Sequence, residues 1–169
     1  MVVTNSGPLM ALGKLGHLDL LERLYEQVVM PAAVYDEVIV KGFARGCLDA
    51  YQIKLAIQRK YLVVMDCKAP HPQVEYLPLH KGEKDVLKLA LDNRSSLVLM
   101  DDMIAREHAQ VFGFQVKGTL GVIVSAYRDK LLSIDEVQII LETIMRRNDI
   151  WIASGLCQSI LTRLNNASK

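Results

Sequence analysis

The chain has 169 residues and a mass of 19.0 kDa, enough for one domain with a substantial core. It is 51% hydrophobic but only 6% aromatic, so the core is expected to consist of Leu, Ile, Val, Ala and Met. Its 20 Lys+Arg and 19 Asp+Glu nearly cancel, which excludes a polyanion partner held by bulk charge and leaves a local patch or a bound cation as the means.

Residues 1–4 read as a short strand that delivers Asn5 and Ser6 to its carboxyl end. Either residue can cap the helix that follows, with Pro8 in the first turn, where a missing N–H costs nothing. Leu9, Leu12 and Leu15, then Leu18, Leu20, Leu21 and Leu24, line a helical pair broken at Gly16. Residues 27–30 form a second strand. Pro31 then starts a helix whose buried stripe is Val34, Tyr35, Val38 and Ile39, with Glu37 off its centre, facing solvent or the edge of the sheet. Residues 45–60 predict another helix, carrying Leu48, Tyr51, Ile53, Leu55 and Ile57 at less regular spacing. A third strand over 61–65 ends at Asp66, and 67–78, with Pro70, Pro72 and Pro78, is a loop of constrained direction.

From 81 to 91 the pattern is helical again, and Glu83 falls inside the apolar arc of Val86, Leu87, Leu89, Ala90 and Leu91. Next comes Leu97-Val98-Leu99-Met100-Asp101-Asp102, four apolar residues running into two carboxylates. An apolar run without alternation suits a strand buried on both faces of a parallel sheet. Ile104, His108, Val111 and Phe112 are expected to face inward on the next helix, and 114–116 to form the last strand. Gly118-Thr119-Leu120-Gly121 leads into an apolar helix to about Tyr127. Ser133-Ile134-Asp135-Glu136 is a capping box opening a helix with Val137, Ile140, Leu141 and Ile144 buried, and Ser154 starts a final helix through Leu161 and Leu164. Alternating strands and helices predict an α/β fold, a three-layer α/β/α sandwich with a mainly parallel central sheet. A single domain over 1–169 is expected, with the C-terminal helices, about 133–166, packed on it.

Cys47, Cys67 and Cys157 are far apart, with no C-x-x-C pair, and read as reduced thiols of a cytoplasmic protein. Pro8, Gly13 and Lys14 interrupt the apolar start, so no signal peptide is expected, and no stretch reaches the roughly 18 apolar residues of a membrane span.

The chemistry concentrates in acids. A carboxylate in a first helical turn complements the helix dipole, which alone would explain Glu83, but its place on an apolar arc calls for a cation or donor. Asp102 has an explanation as a helix cap, which leaves Asp101 over, and Glu37 has one as a solvated helix residue. The histidines His17, His71, His80 and His108 have no metal-ligand spacing, and Gly118-Thr119-Leu120-Gly121 lacks a P-loop Lys. Carboxylates without a nucleophile suit Mg²⁺ or Mn²⁺, hard cations with oxygen ligands that stabilise phosphoryl transfer.

Several segments in order, Val3-Thr4-Asn5-Ser6-Gly7-Pro8-Leu9, Met30-Pro31-Ala32-Ala33-Val34-Tyr35-Asp36-Glu37-Val38, Gly82-Glu83, Leu99-Met100-Asp101-Asp102 through Ala105-Arg106, and Gly118-Thr119-Leu120-Gly121, resemble PIN domains. The likeness is to prokaryotic PIN proteins related to VapC-type toxins, over about residues 2–165. The resemblance implies metal-dependent cleavage of RNA. The family's acids fall at Asn5, Glu37, Glu83 and either Asp101 or Asp102, with Ser6 and Thr119 in support. It further implies Mg²⁺ or Mn²⁺ as cofactor, a small antitoxin as partner and a homodimer. Asn5 departs from the pattern, because an amide oxygen ligates only weakly and carries no charge. Two readings follow: an endoribonuclease, with Glu37, Glu83 and Asp101 or Asp102 holding the ion, and a degenerate PIN domain that binds RNA or protein. A phosphoacceptor domain, suggested by Asp101-Asp102 followed by Lys117, would want its acid pair after the first strand, where this chain has Asn5-Ser6.

Overall fold

The computed structural model describes residues 1–167, and its sheet is built from β1 (Val2–Thr4), β2 (Val28–Met30), β3 (Leu62–Val64), β4 (Leu97–Leu99) and β5 (Gln115–Lys117). The strands lie in the order β3-β2-β1-β4-β5, all parallel. Val3 stands opposite Val29 on one side and Val98 on the other. Parallel neighbours must be joined by crossovers, and helices supply every one. Helices α1 (Ser6–Leu15) and α2 (Leu20–Tyr25) lead from β1 to β2. The path to β3 runs through α3 (Ala32–Tyr35), a π-helical turn (Asp36–Val40), α4 (Lys41–Ala44) and α5 (Leu48–Gln58). Between β3 and β4 lie α6 (Pro72–Glu75) and α7 (Lys81–Asp92), and α8 (Met103–Val111) joins β4 to β5.

Helices flank the sheet, so its inner strands are apolar except for Thr4, whose buried hydroxyl donates to the Asn5 carbonyl at 3.0 Å: Val3, Val28, Met30, Val98 and Leu99 are fully buried, each side chain contributing about 1.5–3 kcal/mol. The outer strands β3 and β5 expose Val64 and Gln115. Asn5 caps α1, its Oδ1 accepting from the Gly7 N–H at 3.2 Å, and Gly16 ends that helix in the left-handed conformation at φ 74°.

Three local expectations need correction. On α8 the inward residues are Ala105 and Ala109, while Ile104 and Val111 are 51% and 83% exposed. Alanine lets the helix lie close to β5, which bulkier side chains would hold off. On α5 the buried face is Asp49, Ala50, Ile53 and Ala56, and Leu48, Tyr51 and Leu55 point outward. Small residues win there too, because α5 packs on α1 so closely that a Cβ on Gly13 would stand 3.0 Å from the Asp49 Cβ. Finally, the proline-rich loop contains a turn of helix, α6, started by Pro72 in its first turn.

A second compact unit begins at Leu120. It holds the remainder of α9 (Thr119–Arg128), then α10 (Ile134–Arg146) and α11 (Ser154–Ala167), with α10 packed on α11. The Ser133 box forms as predicted: the Ser133 N–H donates to Glu136 Oε2 at 2.7 Å and the Glu136 N–H donates to Ser133 Oγ at 3.2 Å. Val137, Ile140, Leu141 and Ile144 are buried. No helix among the described residues is long and apolar enough to cross a membrane.

The segment before α7 is pinned by one carboxylate. Asp92, at the end of α7, accepts from the Lys68 N–H at 2.7 Å and the Ala69 N–H at 3.4 Å, and bonds His71 Nε2 at 2.8 Å. The Lys68 amide, and after it His71 and the Ala69 amide, hold the Asp92 carboxyl below its ordinary pKa. A carboxylate with a lowered folded pKa stabilises the fold above its unfolded pKa, and that stability is lost as pH falls through the folded value. Asp92→Asn is therefore expected to cost about 1 kcal/mol at neutral pH, with the gap to wild type closing below about pH 4. Chemical unfolding at the two pH values checks this, and an unchanged gap at low pH contradicts it.

Candidate active site

From β1 the chain moves outward to β2 and β3, whereas β4 lies on the other side of β1 and leads away to β5. The connections leaving β1 and β4 thus diverge, opening a crevice at the carboxyl ends of these two strands, the place where open α/β sheets bind ligands. Asn5 and Asp101 stand there. Asn5, only 6% exposed, follows β1 directly, and its N–H donates to the Leu99 carbonyl of β4 at 3.0 Å. Asp101 follows β4 after the buried Met100. Gly7 lies against both: a Cβ placed on it would stand 3.2 Å from Asp101 Oδ2 and 3.5 Å from Asn5 Oδ1. The amide oxygen and the carboxylate oxygen border one small gap.

Asp101 is held from the other side by Thr119, whose N–H donates to Oδ1 and whose hydroxyl donates to Oδ2, each at 2.7 Å. Burial pushes the Asp101 carboxyl above its ordinary pKa, opposed by these two bonds and by the Arg106 guanidinium. Asp102 is turned elsewhere. Its Oδ1 accepts from the Ala105 N–H at 2.9 Å, so it caps α8 and is exposed. Of the two adjacent acids, Asp101 faces Asn5 and Asp102 serves its own helix.

Glu37 and Glu83 meet Asn5 around a cavity of about 310 Å³, lined also by Ser6, Val34, His80 and Gly82. Glu37 belongs to the π-helical turn, which buries Val38 and Ile39 and leaves Asp36 and Glu37 on the open side; such single turns often occur at functional sites. Glu83 sits in the first turn of α7 and its Oε2 accepts from the His80 N–H at 2.9 Å, a bond that orients the carboxylate. Gly82 lies in the same wall as the two acids, its Cβ position 3.8 Å from Glu37 Oε2, an ordinary contact distance. A neighbouring cavity of about 340 Å³ is walled by the same Glu37, His80 and Gly82, together with Ala33, Asp36, Lys41 and Lys81.

Sequence reasoning gave no place to His80, which lines both cavities, or to Arg106 beside Asp101. The signal for His80 is its position just before the helix that carries Glu83, where the N-cap must lie. For Arg106 it is the one-turn spacing from Asp102 along the helix that Asp102 caps.

Every side-chain donor offered by Asn5, Glu37, Glu83 and Asp101 is an oxygen, the donor type of hard cations, and the cavity is roomy enough for waters. Among the described residues, no three His, Cys, Asp or Glu side chains form a ready-made cation cluster. Oxygen donors in a cavity with room for waters would suit a hydrated hard cation bound through one or two carboxylates.

The position of Asp101 depends on the absence of a side chain at Gly118. A Cβ there would stand 2.5 Å from Asp101 Oδ1 and 2.7 Å from Arg106 Nη1, and Asp101 is tied to Thr119 and cannot swing aside cheaply. Gly118→Ala is expected to lower stability by about 1–3 kcal/mol, measured by denaturant unfolding. A variant as stable as wild type would mean that Asp101 is free to move.

Compared with protein families, the chain matches the PIN domain over residues 1–166. No curated protein and no solved structure matches it. The five-stranded parallel sheet, the helices that flank it and the family match over nearly the whole sequence agree: this chain belongs to the PIN-domain family.

Proposed function

We propose that this PIN domain is a Mg²⁺- or Mn²⁺-dependent endoribonuclease. The observation that carries the reading is that Asn5, Glu37 and Glu83 line one cavity at the carboxyl edge of the sheet, with the half-buried Asp101 beside Asn5. Glu37 and Glu83 would hold the ion, Asp101 would back them through the gap it shares with Asn5, and Asp102 would keep to its cap. When bound, the ion supplies charge neutralisation at the phosphate and lowers the pKa of an attacking water. The chain's own residues set the geometry: Thr119 fixes Asp101, the His80 N–H fixes Glu83, and Ser6, the first residue of α1, lines the cavity beside Asn5. Without an ion, two carboxylates in one cavity repel a phosphate, so the reading requires the metal to be bound before RNA enters. The resemblance to VapC-type toxins extends it to a cytoplasmic homodimer acting as the toxin of a toxin–antitoxin pair, restrained by a small antitoxin.

Asn5 supports a second reading, a PIN domain that has lost cleavage and binds RNA or protein. Its amide brings no charge to the position of the family's first acid, and no cluster of three acids stands ready among the described residues.

Two variants separate these readings. Glu83→Gln keeps an acceptor for the His80 N–H, so the fold should survive while RNA cleavage falls by about a hundredfold or more. An unfolded variant would make Glu83 structural. At Asn5 a carboxylate near a divalent ion would gain on the order of 4 kcal/mol per unit charge pair at ~4 Å and an effective dielectric of ~20, partly offset by repulsion from the other acids. Asn5→Asp preserves the cap of α1, so it is expected to tighten Mn²⁺ binding by about tenfold, to raise cleavage, and to destabilise the metal-free protein slightly. Calorimetry with Mn²⁺, cleavage of a generic RNA and unfolding in chelator read the three effects. Unchanged affinity would place Asn5 outside the site, and activity appearing only in the variant would favour the binding module.

A further inference from the structure

The cavity that holds Glu37 and Glu83 has no Lys or Arg among its lining residues, yet a nucleic acid strand brings a negative phosphate at every nucleotide. The cations lie next door. Lys41 and Lys81 line the second cavity, which shares Glu37, His80 and Gly82 with the first, so the two form one groove with an acidic half and a half bearing lysines. Lys41 has no ion-pair partner among the described residues. Lys81 pairs with Asp85 at 3.2 Å, but its own side chain is 81% exposed and Asp85 is also held by Lys88 at 3.4 Å, so Asp85 keeps a cation when Lys81 turns to a phosphate. Asp36 and Glu37 keep this half from attracting anions indiscriminately, so it suits a phosphate delivered by a chain already anchored next door.

Building on the ribonuclease reading, we infer that Lys41 and Lys81 seat the backbone phosphate adjacent to the one presented to Glu37 and Glu83. The ligand of the groove is then a polynucleotide strand that continues past the reacting phosphate, and a mononucleotide would fill only half of it. Neither lysine touches the reacting atoms; both position the strand.

The test is anisotropy of a fluorescein-labelled single-stranded oligoribonucleotide with the full chain, with Ca²⁺ in place of Mn²⁺ so that the acidic half holds a cation and with the strand checked on a gel for intactness, over a series of salt concentrations. The double variant Lys41→Ala/Lys81→Ala should bind at least about fivefold more weakly at low salt. Its slope of log affinity against log salt should be shallower by about 1.4, two phosphate contacts at ~0.7 each for a single strand. Lys41→Arg/Lys81→Arg should restore both, which guards against a folding defect. Lys14→Ala removes the same kind of charge from the last turn of α1, the end remote from Asn5, and should change neither. The inference is overturned if the alanine pair binds like wild type, if Lys14→Ala loses as much, or if wild type does not bind the strand. Hydrolysis of bis(4-nitrophenyl) phosphate by the Mn²⁺-loaded protein tests the ribonuclease reading separately. Its absence counts against that reading whatever the lysines do, and its presence alongside unchanged strand binding in the alanine pair overturns the lysine inference alone.

Discussion

The parallel pairing of β1 with β4 is the constraint on which the site depends. Residue by residue, Val2, Val3 and Thr4 align with Leu97, Val98 and Leu99, and the last rung is the hydrogen bond from the Asn5 N–H to the Leu99 carbonyl. Because the strands are parallel and start in register, they also end together. Asn5 and Asp101 therefore emerge on the same edge, and the diverging connections keep that edge open. A one-residue slip would exchange the two faces of β4 and send Asp101 to the wrong side, and the burial of both faces sets the cost of any such slip.

Around this edge, the electrostatics are arranged by backbone and hydroxyl donors more than by cations. Asp101 is satisfied by Thr119, Glu83 by the His80 amide and Asp102 by the Ala105 amide, while Asn5 accepts from Gly7. Each acid is thereby oriented without being neutralised. Small residues make this possible: Gly7 and Gly118 stand where a side chain would press on Asp101. A carboxylate held in this way keeps lone pairs for a hard cation, and the uncharged Asn5 lowers the repulsion that the metal-free protein must tolerate.

Much of this was legible in the sequence because the signals are strong ones. Unbroken apolar runs marked the buried strands, Gly16 marked a helix end, and the Ser133 box marked a helix start. Glu83 was singled out by its place on an apolar arc, and it does line the cavity. Bulk is a poor sign of burial on two helices of this chain. On α5 and α8 the faces turned inward carry alanines, and the larger Leu48, Ile104 and Val111 lie outside, because close helix packing selects small residues. The choice between Asp101 and Asp102 was not legible either. The resemblance leaves either acid as the ligand, although Asp102 reads as the cap of α8 from its position and does cap it. The π-helical turn at Glu37 was equally hidden, since one extra residue in a helix leaves no compositional trace.

On the proposed reading, one divalent cation sits in the cavity lined by Asn5, Glu37 and Glu83, with Asp101 beside Asn5. A crystal of the full chain grown with Mn²⁺, with anomalous scattering recorded at the manganese edge, tests it most directly. The expected result is a single anomalous peak in the cavity, ligated by Glu37 or Glu83 and by waters, at about 2.0–2.3 Å from the carboxylate oxygens. A cavity that stays empty of manganese, or a peak held by Asp102 away from Glu37 and Glu83, would contradict it.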